Sequence, residues 1–474
     1  MPTDNKPYAV LNRTRRPRLE LGHPWIFANE IERTEGEPEP GSLLEVRDHR
    51  GQFLATGYWN PASQIAIRIV AYGLLERMDE AFFEERFRAC LSFRERFAPG
   101  DASCRLVFGE ADFLPGLVVD RFDGVLVAQV LTLGMDKARD AWLPALVRVF
   151  APRGVYERSD VGVRTLEGLE ERTGVLYGEC PRYLLIEENG LSVQVDIEGG
   201  QKTGYFFDQR ENRAAIEPLM KGWGKRSGIQ VEERATEEGV RPVPVNANGS
   251  IVTYPYWDGA TVLECFAHTG SFTLHACKYG AKRVTCLDIS EHGIDTARTN
   301  VARNGFEDRV EFVVADAFEY LREQVKGREE RAARAGAAPE GLSAKGGGKP
   351  APKVDTSKPL TKQGRTWDVI ILDPPAFAKT KRAVPGAIRG YKDINLQAMK
   401  LINEGGYLVT ASCSYHVRPE LFLETLLEAA RDAGKVLRRI VWTGAGRDHP
   451  QLVGVEEGHY LKFGIFEVRS RKEL

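Results

Sequence analysis

The sequence predicts an α/β protein in three parts. These are a small N-terminal β-barrel over residues 1–75, a central α+β domain over 76–190 and a C-terminal Rossmann-like domain over 191–474. Three observations predict it. The chain opens with short strand-like runs such as Gln64–Val70, which alternate polar and apolar residues and are punctuated by Gly41, Gly51, Gly57 and Asn60-Pro61. Helical spacing begins at Glu76–Phe97, where Met78, Phe82, Phe83, Phe87, Cys90, Leu91 and Phe93 recur at three- and four-residue steps. From about residue 260 strands and helices alternate, which is the pattern of a parallel sheet.

The length of 474 residues accommodates two to four domains at roughly 100–200 residues each. With 42 % hydrophobic and 28 % charged residues, the composition is that of a globular protein. No apolar run reaches the roughly 18 residues of a membrane span, so no membrane partner is expected. Met1–Arg18 is polar and basic without an apolar core, and no signal peptide is expected. The seven cysteines (90, 104, 180, 265, 277, 286 and 413) form no CxxC pair. Neither a metal site nor a disulfide framework is expected, and the expected compartment is the reducing cytoplasm.

The net charge of −2 argues against a nucleic-acid partner only as a total. Residues 1–18 carry Lys6, Arg13, Arg15, Arg16 and Arg18 against Asp4 alone. Ala376 to Lys392 holds five basic residues (379, 381, 382, 389 and 392) and no acid.

In the central part, Leu117–Asp120 and Gly124–Val130 bracket a hairpin turn, Ala138–Phe150 reads as a helix, and Gly154–Glu157 and Leu191–Asp196 read as strands. His23, Trp25 and Phe27 read as barrel packing. The parallel sheet is expected from Thr261–Cys265, Arg283–Asp288, Val310–Val314, Trp367–Leu372 and Gly406–Thr410. Its helices are Ser271–Tyr279, Gly293–Asn304, Leu396–Leu401 and Pro419–Ala433. Two insertions interrupt the scheme. Residues 221–257 have little periodic apolar pattern. Residues 326–365 hold ten basic and four acidic residues and read as a disordered surface loop.

The strand ends carry the chemistry. Thr261–Gly270 is a strand running into a small-residue turn that lets a ligand approach the backbone, and it is not GxGxxG. Asp288 ends the next strand, where a carboxylate accepts from a ribose diol. Asp316 follows the third and is placed to accept from an adenine amine, with Phe318 near the ring. Asp373-Pro374-Pro375 follows the fourth, two prolines locking a carbonyl that can meet a base amine. Any one strand-end Asp is ordinarily a cap or turn former. Four successive strands that each end in a polar or small-residue motif give the arrangement of class I S-adenosylmethionine methyltransferases.

Cys413, in Ser412-Cys413-Ser414-Tyr415-His416, follows the fifth strand. One reading has it pack as a small hydrophobe. The other makes it a nucleophile: a thiolate adding to cytosine C6 activates C5, with Asp373 stabilising charge at N3.

Together these residues resemble the RlmI-like family of bacterial 23S rRNA methyltransferases over nearly the whole chain. The resemblance rests on Gly22–Phe27, Leu114–Arg121, Arg158-Ser159-Asp160, Glu167–Glu170, Gly200–Arg210, Arg389–Asn395, Asp448-His449-Pro450 and Glu457–Lys462. It implies a PUA-like RNA-binding barrel, a class I methyltransferase domain, a homodimer, 23S rRNA as partner and S-adenosyl-L-methionine as cofactor. It implies Cys413 as the nucleophile of cytosine-C5 methylation. Glu264, Phe266, Gly270, Asp288, Asp316 and Asp373 become cofactor-side residues, with Gln201, Lys202 and Asp208 shaping the pocket. Pro374, Pro375, Lys379, Arg389 and Lys392 become substrate-side residues. Guanine N7 is the alternative target. Ala376 stands where many RNA cytosine-C5 enzymes have a second cysteine, and N7 needs no thiolate.

Overall fold

In the computed structural model, residues 6–13, 17–100, 102–226, 228–236, 239–252, 258–336 and 364–474 are described. Arg15, Arg16 and residues 337–363 of the second insertion lie outside them. The chain forms two compact units, Met1–Glu211 with Ala445–His459, and Asn212–Gly444 with Tyr460–Leu474.

The first unit holds the N-terminal barrel and the central α+β part. The barrel sheet orders its strands Trp25–Ile26, Ile67–Ala71, Phe53–Trp59, Leu43–Arg47, Tyr8–Leu11 and Ile31–Glu35. Alternate residues such as Leu44 and Val46 point inward against Ala9, Leu11, Ala55, Ile67 and Ile69. His23 is buried, and Trp25 is half-buried with its indole N–H donating to Glu110 at 2.9 Å.

The central sheet runs Arg172–Gly178, Gly154–Ser159, Val125–Val130, Leu117–Phe122 and Cys104–Phe108. The helices Glu80–Phe97 and Arg139–Phe150 share its core through Phe83, Phe87, Trp142 and Leu146. The first helix starts four residues later than its periodicity suggests, because the Asp79 side chain caps it by accepting from Phe82 N.

The returning segment 445–459 is stapled within this unit by charge. Arg94 grips Asp112 at 2.6 and 2.7 Å and donates to the Asp448 carbonyl at 3.0 Å. The buried Asp448 carboxylate accepts from Arg105 N and meets His449 Nδ1 at 2.7 Å. Burial opposes its charge, but His449 and Arg210 hold its carboxyl well below the usual range. Asp448-His449-Pro450 is therefore a structural staple.

Glu457 closes the same segment on His23 (3.1 Å) and Arg18 (2.9 Å). Burial raises its pKa, but these partners prevail and bring it down to about 2. A carboxylate depressed in the folded state stabilises fully above its unfolded value, and that contribution fades as pH falls toward 2. We expect Glu457→Gln to lower the thermal midpoint at pH 6, by on the order of 1–2 kcal/mol after solvent screening. The difference from wild type should shrink steadily below pH 4.5 in scanning calorimetry. A difference constant from pH 6 to 3 would reject this assignment.

The second unit is built on a seven-stranded sheet: β1 Thr261–Cys265, β2 Arg283–Asp288, β3 Val310–Val314, β4 Trp367–Leu372, β5 Ile402–Ser412, β6 Lys435–Thr443 and β7 Lys462–Ser470. The order is β3-β2-β1-β4-β5-β7-β6. Strands β1 to β5 are parallel. The flanking helices are α1 Ser271–Lys278, α2 Glu291–Arg303, α3 Ala317–Gly336, α4 Val384–Leu401 and α5 Pro419–Asp432.

The expectation of a purely parallel sheet is corrected at one edge, because β7 inserts between β5 and β6 antiparallel to both. Helix α3 corrects the second insertion: Lys326–Gly336 is helical, continuing from a turn that buries Tyr320, Leu321 and Val325 on one face. In the first insertion, Gln230–Thr236 and Gly239–Val245 pair as a separate antiparallel hairpin.

The chain order reverses between β1 and β4, which lie side by side. In such sheets the ligand crevice opens at the carboxyl ends of the strands at this switch point. Glu264 stands on one side of it and Asp373 on the other.

Candidate active site

Past β1 the backbone turns sharply. Phe266 (φ 64°), His268 (φ 50°) and Gly270 (φ 76°) all take left-handed conformations. Two of them are not glycine, a strained arrangement that must be held by its surroundings. His268 N donates to Asp288 Oδ2 at 2.8 Å, and Ala267 N donates to the Leu287 carbonyl at 3.0 Å. At Gly270 a Cβ would come within 2.9 Å of the Ala297 Cβ, so close packing on α2 requires glycine there.

Glu264 is buried beneath the turn, its Oε2 accepting from Thr273 N (2.7 Å) and Thr273 Oγ1 (2.5 Å). Burial, with a smaller push from the Asp373 charge, raises it to about 8. It is thus mostly protonated at neutral pH and clamps α1 to β1. The Asp288 carboxylate also accepts from Ser290 N at 2.8 Å, so two amides orient it before any ligand arrives. Asp316 is half-buried and caps α3 by accepting from Glu319 N at 3.0 Å. Phe266 and Phe318 meet edge to face at 6.4 Å, and Phe377 continues the aromatic row at 5.8 Å from Phe318. Carboxylates at two strand ends beside aromatic rings are a donor set that fits a ribose and a purine.

Across the switch point, Cys413 is the first residue beyond β5, and its Sγ lies 3.6 Å from the Pro374 carbonyl. Pro374 is buried and Pro375 exposed. The next residue, Ser414, ties the loop in place. Its Oγ accepts from Ala378 N at 3.0 Å and lies 3.0 Å from the Tyr391 hydroxyl on α4. Its carbonyl accepts from Lys462 Nζ at 2.7 Å. Burial pushes the thiols of Cys90, Cys104, Cys265, Cys277 and Cys286 up, which leaves them inert. Cys413 is only half-buried and sits at the ligand edge.

The structure thus brings Glu264, Phe266, Gly270, Asp288, Asp316, Asp373, Pro374, Pro375 and Cys413 to the ends of neighbouring strands in one unit. Gln201, Lys202 and Asp208 belong to the first unit. There Lys202 Nζ lies 4.9 Å above the Phe206 ring, and the carbonyl of buried Asp208 accepts from Gly446 N.

Lys379 and Arg389 are exposed and have no carboxylate partner among the described residues. Lys392 differs from the expectation of a substrate contact. Its ammonium is matched by Glu428 (3.1 Å) and Asp432 (2.9 Å), so its charge joins α4 to α5.

Tyr391, Ser414 and Lys462 are site residues that motif reading missed. They lie far apart in the sequence, and only the fold shows that they converge. The one local signal is Lys462 itself, a lysine opening the otherwise apolar run Phe463–Phe466.

Residues 9–72 match a PUA-like domain and residues 262–326 a methyltransferase domain. The chain is similar to the ribosomal RNA large subunit methyltransferase I of Photobacterium profundum, at 37 % identity over 94 % of this chain and 96 % of that protein. The Pseudoalteromonas translucida protein of the same name is 36 % identical over 95 % and 96 %. The fold is similar to that of a SAM-dependent methyltransferase from Streptococcus mutans, with TM-score 0.69 and 18 % identity over 97 % of this chain and 99 % of that one. A methyltransferase solved with SAH gives TM-score 0.70 over the same shares.

Proposed function

The chain belongs to the ribosomal RNA large subunit methyltransferase I family, and we propose that it methylates C5 of a cytosine in 23S rRNA through a covalent Cys413 adduct. S-adenosylmethionine is the methyl donor and supplies an electrophilic methyl group when bound. Asp288 and Asp316, with Phe266 and Phe318, are the residues that would hold it.

Cytosine C5 is a poor carbon nucleophile. Addition of the Cys413 sulfur to C6 makes C5 enamine-like and able to take up a methyl group. Loss of the C5 proton to a solvent base, its C–H electrons re-forming the C5–C6 double bond as the C6–S bond breaks, then restores the aromatic ring and the Cys413 thiolate. Asp373, protonated as the base binds, would donate to N3 as negative charge develops there, and the Pro374 carbonyl can accept from the exocyclic amine. The exposed Lys379 and Arg389 supply phosphate contacts, and the PUA-like module adds RNA-binding surface.

The observation that carries this reading is the meeting of Cys413 Sγ with the Pro374 carbonyl at 3.6 Å. It supports the reading because a half-exposed thiol lies beside a proline-locked acceptor suited to a base amine. The test is modification mapping of 23S rRNA from a strain lacking the gene. Bisulfite sequencing should show one lost 5-methylcytosine. An unchanged cytosine pattern with loss of a borohydride-sensitive 7-methylguanosine would overturn this reading in favour of guanine N7.

A further inference from the structure

Lys462 is 2 % exposed, and no carboxylate pairs with it among the described residues. A buried ammonium without a counter-charge is costly, so the site must provide either an anion or a neutral amine. Its place in the sheet shows which groups it serves. On β7 it stands directly across from Ser412, the last residue of β5. Its Nζ then reaches round to the carbonyls of Ser414 and Tyr460, both at 2.7 Å. Lys462 is therefore tied to residues on both sides of Cys413, across from Ser412 by register and bonded to the Ser414 carbonyl. The Cys413 sulfur, when charged, favours the Lys462 ammonium against the cost of its burial.

Resting on the reading of Cys413 as nucleophile, we infer that Lys462 is the positioning residue that holds Cys413 as a thiolate. The thiol proton passes to the Lys462 amine, leaving sulfur negative and nitrogen positive. No bond to carbon forms in this step and no redox partner is needed. The two carbonyls occupy two of the three N–H donors of the ammonium and leave the third.

Burial lowers the Lys462 pKa to about 8, close to the range of an ordinary thiol, so the exchange is nearly balanced in energy. The other titratable groups around Cys413 do not supply this charge. Tyr391 on α4 is a neutral hydroxyl whose pKa is raised by burial. Asp373, next to the Pro374 carbonyl, is a carboxyl and supplies no positive charge, and neither does Glu264, which burial keeps mostly protonated. Tyr415 on the Cys413 turn is exposed, and His416, its ring tilted against Tyr415 at 3.8 Å, is half-exposed.

The experiment uses the full-length protein. Iodoacetamide labelling is followed against pH by mass spectrometry of the peptide carrying Cys413, with half-exposed Cys180 of the first unit as internal reference. The wild-type midpoint should lie below the ordinary thiol value of about 8.5. In Lys462→Met it should rise by at least about one unit, so that labelling at pH 7 slows about tenfold. Lys462→Arg keeps the charge and should restore most of the rate. Cys180 should label identically in all three.

A wild-type midpoint at or above about 8.5 overturns the inference without any variant, which covers a Met variant that does not fold. An unchanged midpoint in a Lys462→Met protein that still binds S-adenosylhomocysteine overturns it too. The cytosine reading fails separately. If Cys413→Ala retains methyl transfer while wild-type Cys413 titrates low, the ion pair stands and the covalent mechanism falls.

Discussion

Cys413→Ala should lower methyl transfer to 23S rRNA by at least about a thousandfold while leaving S-adenosylhomocysteine affinity unchanged. Removal of a nucleophile costs a covalent enzyme most of its rate, and what remains comes from binding and orientation. The cofactor-side groups hang on β1, β2 and β3, whereas Cys413 lies past β5, with its Sγ at the Pro374 carbonyl. Losing the sulfur therefore should not disturb the turn at Phe266–Gly270. Single-turnover transfer of labelled methyl to transcribed rRNA measures the rate, and isothermal titration measures the affinity. RNA carrying 5-fluorocytidine adds a direct readout, because fluorine blocks loss of the C5 substituent and should trap the wild-type protein but not the variant. Methyl transfer by the variant at a tenth of the wild-type rate or more would sink the covalent mechanism.

Asp288→Ala should weaken S-adenosylhomocysteine binding about a hundredfold. Its carboxylate would accept from the ribose, a charge-assisted bond contributing roughly 1.5–3 kcal/mol. It also restrains His268 at 2.8 Å in a left-handed conformation that the turn cannot hold for free. Together these come to roughly 3 kcal/mol, or a factor of about 100 in Kd. Isothermal titration measures it, and Asp288→Asn should fall between, since its amide oxygen can still accept from His268 N. An unchanged Kd in the alanine variant would remove Asp288 from the cofactor site.

Much of the second unit's frame could be read directly from its residues. Strands β1 to β4 are short runs rich in Val, Leu and Ile, β2 ending at Asp288 and β4 just before Asp373, and their limits match the periodicity because both sheet faces are covered. The antiparallel edge was not legible. β6 reads Lys-Val-Leu-Arg-Arg-Ile-Val-Trp-Thr, whose alternation breaks at Arg438-Arg439, where the register with β7 also slips. Helix α3 was hidden by its composition. Its solvent face is so dense in Glu and Arg that the spacing of Tyr320, Leu321 and Val325 is masked.

The sequence by itself determined the class of sheet, the strand ends that carry Asp288, Asp316, Asp373 and Cys413, and the family. These depend on local order along the chain, where a run of apolar residues and the residue that stops it are neighbours. Only the tertiary structure decided what those side chains face. Glu264 became a buried, mostly protonated clamp, and Lys392 was matched to Glu428 and Asp432. The returning strand β7 brought Lys462 alongside Cys413 from 49 positions away. A charge acts through distance and local dielectric, and neither is set until the chain has folded back on itself.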